Sequence, residues 1–193
     1  FYRGGEYDYL LNSNRQMDLL HKRFIVFELD NISENRTLLP VVTIIIMETF
    51  LAKMRRLQGV RKVLLLEEAW KAIAKEGMAS YVRYLFKTVR KYFGEAIVVT
   101  QEVEDIISSP IVKESIINNA DCKILLDQRK YRNKFDQIQT LLGLTDKERA
   151  QVLSINLSND PARRYKEVFI SLGGVQSAVY ATEVSDEEYL VRP

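Results

Sequence analysis

The sequence predicts an α/β fold in which a mostly parallel sheet is flanked by helices and carries an antiparallel hairpin at one edge. Short apolar stretches, such as 63–66 and 97–99, end abruptly in polar residues, which is typical of strands buried on both faces of a parallel sheet. Helical stretches separate these strands and favour right-handed crossovers. Near the end of the chain, Gly173-Gly174 lies between two apolar runs, a pattern that indicates a tight hairpin.

The first part of the chain is predicted to contain a connecting segment, a strand and a long helix. Residues 1–23 are polar and aromatic without a clear period, so we expect a loop and a short helix there. The apolar run 24–29 is predicted to be the first strand. Pro40 suits the first position of a helix, which we expect to continue to about Leu57 because Gly59 is a stop signal.

The remaining elements alternate between strands and helices. Residues 78–93 carry apolar side chains at helical spacing and end at Gly94, which predicts a helix and its stop. The predicted elements from residue 62 onwards are strand 62–67, helix 78–93, strand 95–100, a helical segment 111–119, strand 122–126, helices near 131–142 and 145–153, hairpin strands 168–172 and 175–181, and a short helix near 186–191.

The composition argues against several functional classes. With 193 residues, 47% of them apolar, the chain is long enough for one core and too short for two full domains. Its 28 Lys and Arg residues against 26 Asp and Glu give a net charge of +2, so bulk charge does not indicate nucleic-acid binding. The single histidine, His21, has no partner at the spacing of a zinc site. The single cysteine, Cys122, heads an apolar run and is predicted to be a buried thiol.

Two neighbouring predicted strands end in polar side chains suited to nucleotide hydrolysis. Glu67 and Glu68 stand at the end of strand 62–67, and Thr100 and Gln101 stand at the end of the next strand. Ligands of parallel sheets lie at the carboxyl ends of the strands, so we expect these side chains at one edge. A pair of carboxylates suits Mg²⁺ and an attacking water, and a glutamine suits the orientation of that water beside a phosphate.

A phosphate-binding loop is the part of such a site that these residues do not contain. None of the eight glycines opens a G-x-x-x-x-G-K-[ST] motif. We therefore expect residues 1–193 to hold the second half of a nucleotide site, with the loop in a preceding segment of a longer protein. Because phosphate affinity in this class comes from that loop, we expect residues 1–193 alone to be inactive.

Four motifs in a fixed order carry a family resemblance. They are L-L-L-E-E-A-W, K-T-V-R-K-Y-F-G, V-V-T-Q and I-I-N-N-A-D-C-K-I-L-L-D-Q. Together they resemble the conjugation ATPases of type IV secretion systems, and within them the TraG-type proteins of Bacteroidales conjugative elements. These proteins belong to the FtsK/HerA branch of hexameric RecA-like motors, so the resemblance implies a RecA-like fold. It implies that residues 24–193 are the C-terminal part of the motor domain and that 1–23 connect to it.

The resemblance also implies roles for five residues. Glu67 and Glu68 match the Walker B pair, with Glu67 as the metal ligand and Glu68 as the catalytic base. Gln101 matches the sensor glutamine, Arg90 the arginine finger, and Gln128 a further polar position that we assign to cofactor binding. Most relatives have Asp-Glu where this chain has Glu67-Glu68. The longer Glu67 can still hold Mg²⁺ through a water, because this ion usually keeps several waters.

Cofactors and partners follow from the same resemblance. It implies ATP and Mg²⁺, other type IV secretion components, and a homo-hexamer of the full-length protein, with residues 1–193 alone expected to be a monomer. It also implies a DNA contact as a candidate, and peripheral association with the cytoplasmic face of the inner membrane. The most apolar stretch, 40–51, contains Glu48 and is shorter than the roughly twenty residues that span a bilayer, so we expect a buried helix.

Each assignment has a simpler alternative. Glu67 and Glu68 would also be favourable at a helix N-terminus, where carboxylates meet the helix dipole. Gln101 would be an ordinary polar residue at a strand exit. Arg90 falls at helical spacing with other cations and would then lie on a solvated basic face. The cluster 129–132 could contact DNA phosphates, but a solvated loop is the favoured interpretation.

Three functional classes compete at the level of the whole chain. A motor ATPase that moves substrate or pilus subunits across the envelope is favoured. The second is a docking module of the same apparatus that retains the fold and lacks the chemistry. A metal-dependent nuclease is disfavoured, because the two adjacent carboxylates have no third acidic partner or histidine for a two-metal site.

Overall fold

The computed structural model describes residues 1–12, 18–68, 76–101, 116–157 and 164–190. The chain divides into two compact units. The first unit comprises Phe1–Leu64 and Val89–Ile97, and the second unit comprises Leu65–Thr88 and Val98–Pro193.

The described residues contain both helices and strands. The helices are α1 (Asp8–Leu11), α2 (Leu38–Arg56), α3 (Glu76–Thr88), α4 (Phe135–Leu142), α5 (Asp146–Ser154) and α6 (Asp186–Leu190). The strands are β1 (Lys62–Glu67), β2 (Gly94–Val99), β3 (Cys122–Leu125), β4 (Tyr165–Leu172) and β5 (Gln176–Glu183). Short 3-10 helices span Asp30–Ile32, Val89–Tyr92, Ile117–Asn119 and Arg129–Lys134.

The long helix α2 supplies most of the core of the first unit. The Oδ1 atom of Asn35 accepts the N–H groups of Thr37 and Leu38 at 3.0 and 2.9 Å, and these bonds begin the helix two residues before the predicted start. Pro40 is the third helical residue, where a missing N–H costs nothing because the first N–H groups have no partner within the helix. The buried apolar side chains of α2 are Leu38, Leu39, Ile46, Met47, Phe50, Leu51 and Met54.

The strands β1 and β2 pair in parallel. The N–H of Lys62 donates to the carbonyl of Phe93 at 3.0 Å, and the N–H of Glu68 donates to the carbonyl of Val99 at 3.2 Å. The two bonds join residues at equal sequence separation, as a parallel pair requires. Side chains in both strands alternate between covered and exposed positions. The expectation of burial on both faces is therefore wrong for the described structure, because a sheet of two strands has few neighbours to cover its second face.

The predicted strand 24–29 is also wrong. Its backbone is irregular up to the 3-10 helix Asp30–Ile32, and the side chains of Phe24 and Val26 are 85% and 71% exposed. A strand requires a neighbouring backbone that accepts and donates its hydrogen bonds, and the described residues provide no such neighbour for this segment. Apolar composition alone does not supply that partner.

A three-stranded antiparallel sheet, in the order β3-β4-β5, organises the second unit. Leu125 pairs with Phe169, and Tyr165 with Glu183. The hairpin between β4 and β5 turns at Gly173 and Gly174, whose φ angles of +57° and +68° suit glycine. The α/β class and the antiparallel hairpin are thus confirmed.

The described strands pair in both directions. Of the described strand pairs, one is parallel and two are antiparallel, so the parallel share is smaller here than expected. The helices α4 and α5 together return the chain to the end of the sheet at which β3 finishes, and β4 therefore runs back along β3.

One core cluster of the second unit lies where α4 and α5 cover this sheet. It consists of Phe135, Ile138, Leu144, Val152, Ile155 and Phe169. Gly143 ends α4 in the left-handed conformation, and a capping box formed by Thr145 and Glu148 begins α5. The predicted helices near 131–142 and 145–153 are confirmed, although the first begins as the 3-10 helix Arg129–Lys134.

Three smaller expectations have other outcomes. Cys122 is exposed, which corrects the prediction of a buried thiol: it opens β3, where it shares an exposed face with Ile124. Of the predicted helical segment 111–119, residues 111–115 lie outside the described residues, and the rest forms one short turn. Among the described residues, the structure contains no helix with both the length and the apolar character needed to cross a membrane.

Candidate functional site

The carboxyl end of β1 carries the two acidic side chains that the sequence singled out. Glu67 is the last residue of β1, Glu68 follows it, and both are exposed. Glu68 has a φ of +49°, a left-handed conformation that costs a residue other than glycine roughly 1–2 kcal/mol. Its own N–H still donates to the carbonyl of Val99 in β2. The strand therefore ends abruptly at Glu68, while its backbone stays attached to the neighbouring strand.

The side chain of Glu68 reaches the exit of β2. Its Oε1 atom accepts the backbone N–H of Gln101 at 2.8 Å. The structure thus places Glu67, Glu68 and Gln101 together at the same ends of two paired strands. This is the arrangement that the strand pattern predicted, and in it the orientation of the Glu68 carboxylate depends on the position of Gln101.

Tyr131 is a further residue at this point that the sequence analysis did not assign to the site. Its hydroxyl donates to the backbone carbonyl of Gln101 at 3.2 Å. Tyr131 lies in the 3-10 helix Arg129–Lys134, with the ammonium of Lys130 5.2 Å from its ring centroid. The only signal in the sequence was an aromatic residue inside the basic run R-K-Y-R.

Gln128 lies at the start of the same 3-10 helix. Its carbonyl accepts the N–H of Tyr131 at 2.9 Å. Its side-chain oxygen Oε1 is buried and has no hydrogen-bond partner among the described residues. A buried polar atom without a partner is rare and calls for an explanation, such as a ligand or an ordered water.

The basic cluster after β3 is partly neutralised by its own neighbour. The Nε atom of Arg129 donates to both carboxylate oxygens of Asp127, at 2.9 and 2.8 Å. This hydrogen bonding from Arg129 lowers the pKa of Asp127. Because the charge of Arg129 is matched within the chain, the cluster offers less positive charge to a DNA phosphate than its sequence indicates.

Arg90 belongs to the first unit, whereas the other four predicted site residues belong to the second. It lies in the 3-10 helix Val89–Tyr92 and is exposed. Its carbonyl accepts the N–H of Phe93 at 3.2 Å, and Phe93 has a φ of +59°. The turn at Phe93 directs the chain into β2 directly after the cation, so Arg90 stands at the amino end of the strand whose other end leads to Gln101.

The acidic pair matches the donor set that Mg²⁺ uses in nucleotide sites. That ion is commonly held by one or two carboxylates, with waters and substrate phosphates as its other ligands. Glu67 and Glu68 are adjacent and exposed, and one oxygen of Glu68 is already occupied by the N–H of Gln101. Glu67 is therefore the better candidate for the metal. Within the described ranges there is no cluster of three or more His, Cys, Asp or Glu side chains that could hold a metal ion by itself.

Comparisons with known proteins identify a matching family, a related protein and a similar solved structure. The family model described as the TraG P-loop domain matches residues 1–192. The type IV secretion system protein CagE of Helicobacter pylori is 28% identical over 146 residues, which are 75% of this chain and 14% of CagE. The solved structure of VirB4 of Thermoanaerobacter pseudethanolicus matches with a TM-score of 0.63 at 22% identity, covering 86% of this chain and 43% of that chain. At this identity the match to VirB4 establishes the fold, and the chain spans less than half the length of either protein.

Proposed function

This chain belongs to the TraG P-loop domain family, and we propose that it is the C-terminal part of a motor ATPase of type IV secretion. The bond between the Glu68 carboxylate and the N–H of Gln101 carries the proposal, because it brings a candidate base and a candidate sensor to one sheet edge. The name of CagE, a type IV secretion system protein, supports the assignment to secretion. In this proposal the full-length protein couples ATP hydrolysis to the movement of substrate or pilus subunits across the envelope.

Each site residue has a proposed catalytic role. Mg²⁺-ATP, when bound, supplies the phosphoryl group for transfer to water. Glu67 helps to hold the metal, and Gln128, whose buried Oε1 has no partner among the described residues, is the proposed contact to the nucleotide. Glu68 has one carboxylate oxygen fixed by Gln101, so its other oxygen can take a proton from the attacking water. Gln101 orients that water through its side-chain amide, since its backbone groups are engaged elsewhere.

The remaining roles concern assembly. Arg90 serves as an arginine finger toward the nucleotide of a neighbouring subunit, which requires head-to-tail contacts that close into a ring of six. We assign residues 24–193 to the C-terminal part of the motor domain and residues 1–23 to a connecting segment. We propose that the full-length protein contacts other secretion components and the cytoplasmic face of the inner membrane. A DNA contact through the 129–132 cluster is a secondary proposal.

A docking module without catalytic activity is the alternative. Its supporting observation is that the Glu68 carboxylate already has a partner within the chain. In that case the contact between Glu68 and Gln101 would only hold β1 and β2 together.

The two functions predict different results for Glu68→Gln in the full-length protein. For an ATPase, kcat falls by a factor on the order of 10²–10⁴, the usual contribution of a general base, while ATP still binds. The matched control is Glu183→Gln, which changes an exposed glutamate on β5 and leaves kcat unchanged. A wild-type protein without ATPase activity, or a Glu68→Gln variant as active as the control, would establish the docking module instead.

A further inference from the structure

Both backbone polar groups of Gln101 are held by side chains from distant parts of the chain. Its N–H donates to Glu68, which lies 33 residues before it, and its carbonyl accepts from the hydroxyl of Tyr131, 30 residues after it. A strand exit normally leaves these groups to solvent, because the ladder has ended. Here they are fixed from two sides, and neither bond involves the side-chain amide of Gln101.

Tyr131 is itself firmly placed. Its ring is half-buried and packs against the core cluster of the second unit, in which Phe135 and Phe169 are fully buried. Its backbone N–H is bonded to the carbonyl of Gln128. The hydroxyl is therefore presented to Gln101 by a side chain whose other end belongs to the rigid part of the unit. By contrast, Gln101 is exposed.

We propose that Tyr131 is a positioning residue for hydrolysis: its hydroxyl fixes the backbone of Gln101, and Gln101 in turn fixes the Glu68 carboxylate. The proposal rests on the proposed roles of Gln101 as sensor and Glu68 as base. It adds Tyr131, from the segment after β3, to the proposed base and sensor at the ends of β1 and β2. The same 3-10 helix begins directly after Gln128, whose carbonyl accepts the N–H of Tyr131, so one turn of backbone joins the proposed nucleotide contact to Tyr131.

The chain of contacts has a direct consequence for the reaction. If the hydroxyl is removed, the carbonyl of Gln101 loses its partner, and the N–H that orients Glu68 samples more positions. Substrate binding does not depend on these groups, so the loss falls on kcat and leaves KM unchanged. One ordinary hydrogen bond corresponds to a change of about 2- to 10-fold.

Tyr131→Phe in the full-length protein tests the proposal, because it removes the hydroxyl and retains the ring that packs on the core. Amide hydrogen exchange of the nucleotide-free protein is the first measurement, and we expect the Gln101 amide to exchange about 2- to 10-fold faster. Steady-state ATPase kinetics are the second, with kcat reduced by a similar factor and KM retained. Tyr180→Phe is the matched control: Tyr180 lies on β5 in the same unit, its ring is exposed, and neither quantity should change.

Each contrary result overturns the proposal separately from the proposed function. An unchanged exchange rate at Gln101 shows that the hydroxyl does not hold this backbone, whether or not the protein hydrolyses ATP. Faster exchange with an unchanged kcat shows that the contact has no catalytic role. A reduced Tm together with equal losses in ATP affinity and kcat shows a purely structural role for Tyr131. Failure of the proposed function is recognised differently, by a wild-type protein that lacks ATPase activity.

Discussion

Glu148 is a buried carboxylate whose removal tests the packing of the second unit. Its side chain is only 8% exposed. Its Oε2 atom accepts from the N–H and the hydroxyl of Thr145, at 2.8 and 2.9 Å, and the N–H of Glu148 donates to the hydroxyl oxygen of Thr145 at 3.2 Å. The hydroxyl of Ser171 on β4 donates to Oε1 at 3.3 Å. A single carboxylate thus joins the start of α5 to the sheet beneath it.

Glu148→Gln removes the charge and retains the size of the side chain. A glutamine amide can still accept from Thr145 through its oxygen, and its NH₂ group can donate to the hydroxyl oxygen of Ser171, but these hydrogen bonds no longer involve a charged group. Hydrogen bonds to a charged group contribute about 1.5–3 kcal/mol each, so a variant that keeps part of them should lose about 1–3 kcal/mol in the free energy of unfolding. For a chain of this size, each kcal/mol corresponds to roughly 2–4 °C in Tm.

The loss should depend on pH in a defined direction. The pKa of Glu148 is lowered from 4.5, first by the backbone hydrogen bond from Thr145 and then by side-chain hydrogen bonds that include those of Ser171 and Ser177. A carboxyl whose folded pKa lies below its unfolded value stabilises the fold above the unfolded value, and this contribution disappears as pH falls through the folded pKa. The difference between wild type and Glu148→Gln should therefore be full near neutral pH and should shrink progressively below pH 4.5.

Urea unfolding followed by far-UV circular dichroism, at a series of pH values from neutral to acidic, measures this difference. The matched control is Glu188→Gln, which alters a second capping box. There Glu188 accepts the N–H of Ser185 at 3.0 Å, but both residues are exposed. The control should cost less than about 0.5 kcal/mol, as most surface substitutions do. If the two variants lose equal stability, or if the difference for Glu148→Gln does not change with pH, the carboxylate does not stabilise the contact between α5 and the sheet.

Two further predictions concern the first unit and the assembly. Gly94→Ala should destabilise the protein by about 1–3 kcal/mol in urea unfolding, because the added Cβ would lie 2.7 Å from Cγ2 of Val89; an unchanged midpoint would show that Val89 moves aside at no cost. Mixing the full-length Arg90→Ala and Glu68→Gln variants should restore ATPase activity that neither has alone, because neighbouring subunits then combine an intact base with an intact arginine. Mixed rings without restored activity would assign Arg90 to a solvated basic surface.

The features that the sequence predicted well are encoded by short stretches of residues. The end of β1 at Glu67 follows from an apolar block that stops at two carboxylates, and the hairpin follows from glycines able to adopt positive φ at 173–174. Each signal depends on residues within one turn or one strand. The placement of Glu68 and Gln101 at one edge then follows from the geometry of parallel strands, without any knowledge of the contacts between them.

The failures all depend on residues far away in the sequence. The formation of a strand at 24–29 requires a neighbouring backbone, and the burial of Cys122 requires residues that cover its face of β3. The local sequence determines neither of these. The direction of β4 depends on how two intervening helices return the chain. The role of Tyr131 was missed for the same reason, because a hydrogen bond to a carbonyl 30 residues away produces no recognisable pattern in the sequence.

The left-handed conformation of Glu68 depends on a local feature, the end of β1, and on a distant one, the contact with Gln101. In a regular strand, successive side chains point to opposite faces, so Glu67 and Glu68 could not both serve one site. The φ of +49° at Glu68 breaks this alternation at the residue where β1 ends. The backbone N–H of Glu68 remains bonded to Val99 while the carboxylate turns to the N–H of Gln101, so two bonds to the exit of β2 offset the strain of the turn. The strain therefore lies at the residue that we propose as the catalytic base, and Tyr131, by holding Gln101, stabilises the backbone group that the Glu68 carboxylate contacts.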